Sequence, residues 1–270
     1  MPYLDVPGTT LYYEDEGAGG PPLLFLHGWG TSAQVWGAQV PEFVRDHRVV
    51  TLDWRGCGRS GRPARGNTMT GVLDDLTALI DALGLDRPIV IGSSLGAAFA
   101  TELAVRGPEL VGSAVAVDGP AYWPSQGIDV AKIEHDLRTD RAASVAGWVV
   151  NWFAPGTSPA LVDWTVRQIL DSGTYIDEHF TAFATYDPRP RLPELRVPIH
   201  YIHGALDAQP PVEVAHACAA LTPGAGVSVI EDAGHLPHQE RPAEFNVALR
   251  AVLHCHEGGD LTGAEYVVRS

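Results

Sequence analysis

One serine in this chain stands where its hydroxyl could act as a nucleophile. Ser94 is the central residue of the sequence G-S-S-L-G at 92–96, after an apolar run at 88–91 and before an Ala- and Leu-rich segment that continues to about Val105. This pattern predicts a strand, a sharp turn and a helix. A side chain at the tip of such a turn needs small neighbours, and the two glycines of the pattern supply them. The motif G-x-S-x-G therefore predicts an exposed, reactive hydroxyl.

A serine hydroxyl needs a base to take its proton during attack on a carbonyl carbon. Histidine suits this role because it gains and loses a proton near neutral pH. Of the eleven histidines, His235 is the best candidate, since it follows the last predicted strand and Gly234 lets the backbone turn its ring inward. We expect His238, His254 and His256 to be structural or solvated.

The base in turn needs a carboxylate that holds its tautomer and stabilises the imidazolium. Asp207 follows the penultimate predicted strand, so Ser94, Asp207 and His235 occur in that order. Asp232 is closer to His235 in sequence. From three positions away on the same loop, however, it is not expected to reach the ring nitrogen that faces away from the serine. Asp207 is therefore the expected acid.

Strand and helix patterns alternate along most of the chain. The opening residues 2–14 predict an antiparallel hairpin. Continuous apolar runs predict strands that are buried on both faces, at 23–26, 48–53, 88–91, 113–117, 197–203 and 227–230. Helical spacing or composition predicts helices at 35–45, 69–83, 95–105, 212–221 and 242–254. Such alternation implies a mostly parallel sheet covered by helices on both faces, an α/β fold. The tail from Glu257 has no clear period and is expected to be loose.

The alternation stops between residues 120 and 189, where prolines interrupt the helical patches. Aromatic residues dominate cores in general, so one interpretation of this segment is a second hydrophobic core. The other is a helical cap whose aromatic side chains line a pocket above the serine. The candidates for contact with a substrate are Trp123, Trp148, Trp152 and Phe153. The predicted organisation is a core of residues 1–119 and 190–270, with residues 120–189 inserted as a cap.

Composition limits the classes of partner. Lys and Arg total 18 and Asp and Glu total 33, which gives a formal net charge of −15. No block of basic residues interrupts this acidity, so neither nucleic acid nor an anionic membrane is an expected partner. The three widely spaced cysteines suggest neither a disulfide framework nor a metal site. No stretch has the pattern of a signal peptide or membrane span, so a cytoplasmic location is expected.

Taken together, these motifs resemble the α/β-hydrolase family over nearly the whole chain. Besides the serine motif, the resemblance rests on His27-Gly28-Trp29, Asp53-x-Arg55-Gly56-x-Gly58-x-Ser60, Val197-Pro198 and His203-Gly204-x-x-Asp207. The pattern is most similar to small bacterial esterases grouped with cofactor-free haloperoxidases and perhydrolases. This resemblance implies a mostly parallel eight-stranded sheet flanked by helices, with a helical cap inserted after the sixth strand.

The resemblance also implies roles for particular residues. The order of Ser94, Asp207 and His235 is the one this fold uses, although some members carry the acid where Asp118 stands, so both acids remain open. In this family the backbone N–H groups that bind an oxyanion come from positions that match Leu95 and Trp29. The loop 53–60 is expected to be structural. The implied chemistry requires no metal or organic cofactor.

Three positions at which this chain can be compared with members of the family narrow the expected activity. Perhydrolase members usually have proline where Gly30 stands, and many esterases have glycine where Ala97 stands. Dehalogenases and epoxide hydrolases of this fold use aspartate at the position of Ser94. The expected function is hydrolysis of a small or medium carboxylic ester or lactone. A carbon–carbon bond hydrolase or natural-product tailoring enzyme with the same triad, and a small-molecule receptor on the same fold, are the alternatives.

Overall fold

The computed structural model describes residues 2–119, 122, 129–183, 185–256 and 265–268. Its strands are β1 (Tyr3–Val6), β2 (Thr9–Gly17), β3 (Leu23–Leu26), β4 (Arg48–Asp53), β5 (Ile89–Ser93), β6 (Ser113–Val117), β7 (Ile199–Gly204), β8 (Gly226–Ile230) and β9 (Glu265–Val268). Within the described residues these nine strands form one sheet in the order β1-β2-β4-β3-β5-β6-β7-β8-β9. The pairs β1–β2 and β2–β4 are antiparallel, and every later pair is parallel.

The helices fill the intervals between strands. They are α1 (Val40–Phe43), α2 (Met69–Leu83), α3 (Leu95–Arg106), α4 (Val130–Val149), α5 (Pro159–Asp171), α6 (Glu178–Phe183), α7 (Val212–Leu221), α8 (Pro237–Glu240) and α9 (Pro242–His256). The α2 helix begins where the Thr68 hydroxyl accepts the Gly71 N–H and ends at Gly84, whose φ of 58° is left-handed. The predicted mostly parallel α/β sheet with flanking helices is thus confirmed.

Two local predictions differ from the structure. In place of one helix over 35–45, a 3₁₀ turn at Ala33–Trp36 is followed by α1, because Pro41 has no N–H to continue a helix across the junction. The tail expected to be loose contributes β9, which pairs with β8 from Val227↔Glu265 to Ile230↔Val268. The edge of β8 would otherwise present unpaired backbone groups.

Side chains of the central strands alternate between the two sheet faces. In β3, Leu24 and Leu26 belong to a core shared with α2 and α3, whereas Leu23 and Phe25 belong to a core shared with α1 and α9. Both faces are therefore apolar, as the continuous hydrophobic runs predicted.

The parallel strands place their following loops at one edge of the sheet. The loops after β5, β6, β7 and β8 carry Ser94, Asp118, Asp207 and His235. Ligand sites of open α/β sheets lie at this carboxyl edge. In the described part of the chain, no helix has the length and apolar character that a membrane crossing requires.

Candidate active site

Ser94 occupies the sharp turn between β5 and α3. Its φ of 55° and ψ of −115° are unusual for a residue other than glycine, and its N–H donates to the Val117 carbonyl at 2.8 Å. The two glycines of the motif are needed because the chain crosses itself closely here. A Cβ at Gly96 would lie 2.5 Å from the Leu26 carbonyl oxygen, and one at Gly92 would collide with the Gly96 carbonyl. The G-x-S-x-G spacing is therefore a steric requirement of the turn.

The His235 ring lies between Ser94 and Asp207. Its Nε2 is 2.9 Å from Ser94 Oγ, and its Nδ1 is 2.7 Å from Asp207 Oδ2. An ionised Asp207 accepts hydrogen bonds only, so Nδ1 carries the ring proton and Nε2 accepts the serine hydroxyl proton. The His235 N–H also donates to the Trp152 carbonyl at 2.6 Å, which fixes the loop after β8. The structure thus brings together the serine, histidine and aspartate selected from the sequence.

Asp118, the alternative acid, lies next to this group but does not contact the His235 ring. One of its oxygens accepts the Gly204 N–H at 2.9 Å, and burial together with the nearby charge of Asp207 raises the pKa of Asp118 well above its usual value. Burial alone would raise the pKa of Asp207 as well. The charge and hydrogen bond of His235 outweigh that effect and lower the pKa of Asp207. The two carboxyl groups are therefore shifted in opposite directions, Asp207 towards the ionised form and Asp118 towards the protonated form. Asp232 is exposed.

Among the described residues, Asp118, His203 and Asp207 also form a group that could hold a metal ion, since their ligand atoms lie within 4.8 Å of one another. The hydrogen bonds already present use much of this capacity. His203 Nε2 donates to the Pro210 carbonyl at 2.9 Å, and Asp207 accepts from His235 and from the Gln209 N–H. Burial lowers the pKa of His203, so its ring is neutral. We therefore interpret Asp118 and His203 as residues that support the position of Asp207.

The loop after β3 passes beside the serine. A Cβ at Gly28 would lie 3.4 Å from Ser94 Cβ and 3.9 Å from Ser94 Oγ, so the loop that carries Gly28 and Trp29 passes within contact distance of the serine. His27 anchors the loop, because its Nδ1 donates to the Gly28 carbonyl at 2.8 Å and its Nε2 accepts the Trp54 N–H at 3.2 Å. Burial lowers the pKa of His27 to about 4, which keeps the ring neutral. Leu95 is the first residue of α3, where N–H groups have no partner within the helix.

The structure around Gly30 shows why this chain does not have the proline that perhydrolase members usually have at this position. Its φ of 70° is inaccessible to a proline ring, and a Cβ there would lie 2.9 Å from Cγ2 of Ile169 in α5. The Ser172 hydroxyl donates to the Gly30 carbonyl at 2.6 Å. The segment between β6 and β7 is therefore packed directly on the loop after β3.

The aromatic candidates for substrate contact lie in different surroundings. Trp152 lines a cavity beside Ser94 and makes an edge contact with the His235 ring at 5.8 Å. Trp148 contacts Phe180, which contacts Trp29. Phe153 is buried. Within the described residues, Trp148 and Phe153 are not on the wall of this cavity. Trp123 lies outside the described residues.

The cavity opens to solvent, and the space that atoms leave empty there totals about 280 Å³ with the open solvent included. Around Ser94 and His235, its wall combines apolar side chains with a few polar ones, as small-molecule sites do. The remaining lining residues are Gly28, Trp29, Thr31, Val35, Ser93, Trp152, Leu236, His238 and Gln239. His238, expected to be structural or solvated, is fully buried and faces this space.

Glu240 is a residue of this site that the sequence analysis missed. Its carboxylate accepts the N–H groups of Gly234 at 2.9 Å and Leu236 at 3.2 Å, on either side of His235. It also accepts the Ala154 N–H at 2.7 Å and the Thr157 hydroxyl at 3.0 Å. Glu240 thus ties the histidine loop to the segment after α4. The available signal was an acidic residue five positions after the histidine and two positions before the predicted terminal helix.

The loop 53–60 is a rigid support beside the site. Asp53 accepts the N–H groups of Ala33 at 2.7 Å and Arg59 at 2.8 Å, and Arg55 forms a buried ion pair with Asp75 at 2.6 Å. Burial raises the pKa of the Cys57 thiol, so this cysteine is not a reactive thiolate at neutral pH.

Comparison with known proteins defines the class. A model of the alpha/beta hydrolase family matches residues 23–248, and the chain belongs to this family, which confirms the resemblance drawn from its motifs.

Individual relatives are similar over almost their whole length. The pimeloyl-[acyl-carrier protein] methyl ester esterase of Edwardsiella ictaluri is 30% identical over 253 residues, 89% of this chain and 96% of that protein. The structure of Est816, described as an N-acyl homoserine lactone degrading enzyme, has a TM-score of 0.82 at 27% identity and covers 93% of this chain and 99% of its own. The bromoperoxidase of Bacillus anthracis has a TM-score of 0.85 at 27% identity and covers 91% and 96%. Of these relatives, the methyl ester esterase and the lactone-degrading enzyme support ester hydrolysis for this alpha/beta hydrolase.

Proposed function

We propose that this protein is a serine hydrolase that cleaves a carboxylic ester or lactone of small or medium size through an acyl-enzyme on Ser94. The observation that carries the proposal is the chain of contacts from Ser94 Oγ to His235 Nε2 at 2.9 Å and from His235 Nδ1 to Asp207 at 2.7 Å. A nucleophile, a base and an orienting acid in contact are the parts that acyl transfer requires.

In the first half of the reaction, Ser94 Oγ attacks the carbonyl carbon of the ester and His235 Nε2 takes its proton. The carbonyl oxygen becomes an oxyanion, which accepts the N–H groups of Trp29 and Leu95. The amino end of α3 adds a favourable dipole. The carbon–oxygen bond of the ester then breaks, and His235 returns the proton to the leaving alcohol. Asp207 stabilises the imidazolium between these steps.

In the second half, a water molecule replaces the alcohol. His235 takes a proton from this water as its oxygen attacks the acyl carbon. The second oxyanion occupies the same pair of N–H groups, the bond to Ser94 Oγ breaks, and the serine recovers its proton. The products are a carboxylic acid and an alcohol, or a hydroxy acid when the substrate is a lactone.

Residues 120–189 are proposed as a cap over this chemistry. The contacts of Phe180 with Trp29 at 4.7 Å and of Trp152 with His235 at 5.8 Å support this assignment. Trp152, which lies on the wall of the cavity, is the proposed contact for an apolar part of the substrate. The printed names of the relatives, a methyl ester esterase and a lactone-degrading enzyme, favour an ester or lactone carbonyl as the reacting group.

Hydrolysis of a series of aryl and methyl esters tests the proposal. We expect measurable turnover by the native protein and a loss in kcat of at least about 10³-fold in both Ser94→Ala and His235→Ala. The double variant should lose little more, because the two residues act as a unit. Ser93→Ala removes the neighbouring hydroxyl of the same turn and should lose less than about tenfold. A folded native protein that turns over no ester in the series contradicts the proposal.

A further inference from the structure

The Trp29 N–H, one of the two proposed oxyanion donors, belongs to the same peptide group as the Gly28 carbonyl. That carbonyl accepts the His27 Nδ1–H at 2.8 Å and the Thr31 hydroxyl proton at 3.1 Å. The carbonyl and the N–H of a trans peptide point in opposite directions, so these two bonds fix the direction of the Trp29 N–H within the loop. They do not fix where the loop lies relative to Ser94, because both donors belong to the loop itself.

The loop is held from outside by the carboxyl end of α5. The Ser172 hydroxyl oxygen lies 2.6 Å from the Gly30 carbonyl oxygen and 3.0 Å from that of Ile169. A hydroxyl has one proton, and the shorter contact identifies Gly30 as its main acceptor. One helical turn earlier, Gln168 Oε1 accepts the Ser32 hydroxyl proton at 2.6 Å. The loop is thus bound to the same end of α5 at two positions.

Close packing accompanies these two hydrogen bonds. A Cβ at Gly30 would lie 2.9 Å from Cγ2 of Ile169, which is fully buried, so the helix side chain is in direct contact with the loop backbone. The Arg141 guanidinium of α4 donates to the Ile169 carbonyl at 2.9 Å and lies 5.7 Å from the centre of the Trp29 ring. It also pairs with Asp177 at 3.4 Å. The segment between β6 and β7 therefore contacts both the loop backbone and the side chain of the residue that carries the donor.

We propose that Ser172 and Gln168 are positioning residues for the oxyanion-binding N–H of Trp29. They act through the Gly30 carbonyl and the Ser32 hydroxyl, and neither touches a reacting atom. The inference rests on the proposed function, because the oxyanion forms only in that reaction. It makes the inserted segment a support of the oxyanion site, in addition to a cover for the serine.

Removal of the Ser172 hydroxyl tests this role. Outright loss of an oxyanion donor lowers kcat by about 10²- to 10³-fold. Ser172→Ala keeps the Trp29 N–H but loosens the loop that carries it. We therefore expect kcat to fall by less, about three- to thirtyfold, with KM within about twofold of the native value. Steady-state kinetics on one ester measures both.

Inhibition by two ketones separates this role from a general loss of structure. The carbonyl carbon of 1,1,1-trifluoroheptan-2-one is attacked by Ser94 Oγ, His235 takes the serine proton, and the carbonyl oxygen becomes an oxyanion like that of the reaction. Heptan-2-one is a weaker electrophile that stays a ketone, so it measures binding of the ground state. In Ser172→Ala, the Ki of the fluorinated ketone should rise by the factor by which kcat/KM falls. The Ki of heptan-2-one should stay within about twofold of the native value.

Thr165→Val is the matched control. It also removes a buried hydroxyl from α5, but this hydroxyl donates to the Leu161 carbonyl of its own helix at 3.1 Å. Its kcat and both Ki values should stay within about twofold of the native values. Gln168→Leu removes the acceptor of the Ser32 hydroxyl and should act in the same direction as Ser172→Ala. It decides the outcome if Ser172→Ala does not fold, as judged by circular dichroism.

Two results would overturn the positioning role while ester hydrolysis itself stands. One is a native kcat in folded Ser172→Ala or, in its place, in folded Gln168→Leu. The other is an equal loss of affinity for the two ketones in that variant. Absence of any ester turnover by the folded native protein overturns both the positioning role and the proposed function.

Discussion

Two buried carboxyl groups lie beside His235, and their pKa values are shifted in opposite directions. Asp207 accepts the His235 ring proton at 2.7 Å, whereas Asp118 accepts the Gly204 N–H and has a raised pKa because it is buried near Asp207. Two carboxylates in one buried site cannot both be ionised at low cost. The acid that stays ionised is the one that can orient and stabilise the histidine.

This difference predicts opposite outcomes for the two asparagine variants. Asp207→Asn removes the charge that stabilises the imidazolium and should lower kcat by about 10³- to 10⁴-fold. Asp118→Asn introduces a neutral amide that can still accept the Gly204 N–H, and burial already shifts Asp118 towards its neutral form, so kcat should stay within about threefold of the native value. Steady-state kinetics on one ester measures both. A larger loss in Asp118→Asn than in Asp207→Asn would contradict the assignment of the acids.

The raised pKa of Asp118 also predicts how stability depends on pH. The pKa of Asp118 is higher in the folded protein than in the unfolded chain, so the unfolded chain loses this proton first as the pH rises above about 4, and this group lowers stability as the pH rises. Asp118→Asn has no proton to lose. The free energy of unfolding of the variant relative to the native protein should therefore increase between pH 4 and pH 7, measured by urea denaturation. A relative stability that decreases over this range would show that Asp118 is ionised in the fold.

Among elements, the loop after β8 depends on a helix that follows it. Glu240, the last residue of α8, accepts the N–H groups on both sides of His235 and two further donors next to α4. The position of the base is thus set by α8 and by the segment after α4 together. A change at Glu240 should act on both stability and rate, although this carboxylate touches no reacting atom.

Glu240→Ala leaves three buried N–H groups without an acceptor and should lower the free energy of unfolding by about 2–4 kcal/mol. It should also lower kcat, while Glu240→Gln, which keeps one acceptor oxygen, should lose less of both. Glu213→Ala in α7 is the matched control, because Glu213 is exposed and its loss should cost no more than about 0.5 kcal/mol. Urea denaturation and steady-state kinetics measure these effects. Equal stability of Glu240→Ala and Glu213→Ala would contradict this role.

The site residues that could be found from the sequence are those in local motifs. Ser94 can be recognised by the glycines that the sharp turn requires two residues before and after it. His235 can be recognised because it follows a predicted strand and a glycine. The sequence favoured Asp207 over Asp118 but could not exclude Asp118, because the choice depends on where the loops after two adjacent strands bring their side chains. Glu240 was missed for a similar reason, since its partners include residues more than 80 positions away.

The fold was predictable to the extent that buried strands have continuous apolar runs. The strands β3 to β8 correspond to such runs, and the helices α2, α3 and α7 correspond to segments with helical spacing or composition. The strand β9 was not found, because its four residues follow a glycine-rich stretch and pair only with the edge of β8. The break between the turn at 33–36 and α1 depends on a single proline within an otherwise helical pattern.

At the scale of the whole molecule, the net charge of −15 favours uncharged substrates. A negative field repels an anionic ester, and added salt screens that repulsion. For monomethyl glutarate, which carries a carboxylate, kcat/KM should therefore rise by about two- to fivefold between 20 and 200 mM NaCl. Methyl pentanoate, which is neutral, should change little and serves as the control. A fall in kcat/KM with salt for the anionic ester alone would indicate a local cationic patch that attracts it.

The central claim is that His235 and Asp207 make Ser94 a nucleophile, and intact-mass analysis after treatment with a fluorophosphonate tests it most directly. The account predicts one adduct on the native protein, no adduct on folded Ser94→Ala, and much slower labelling of His235→Ala. Absence of an adduct on the folded native protein, or an adduct that persists in Ser94→Ala, would contradict it.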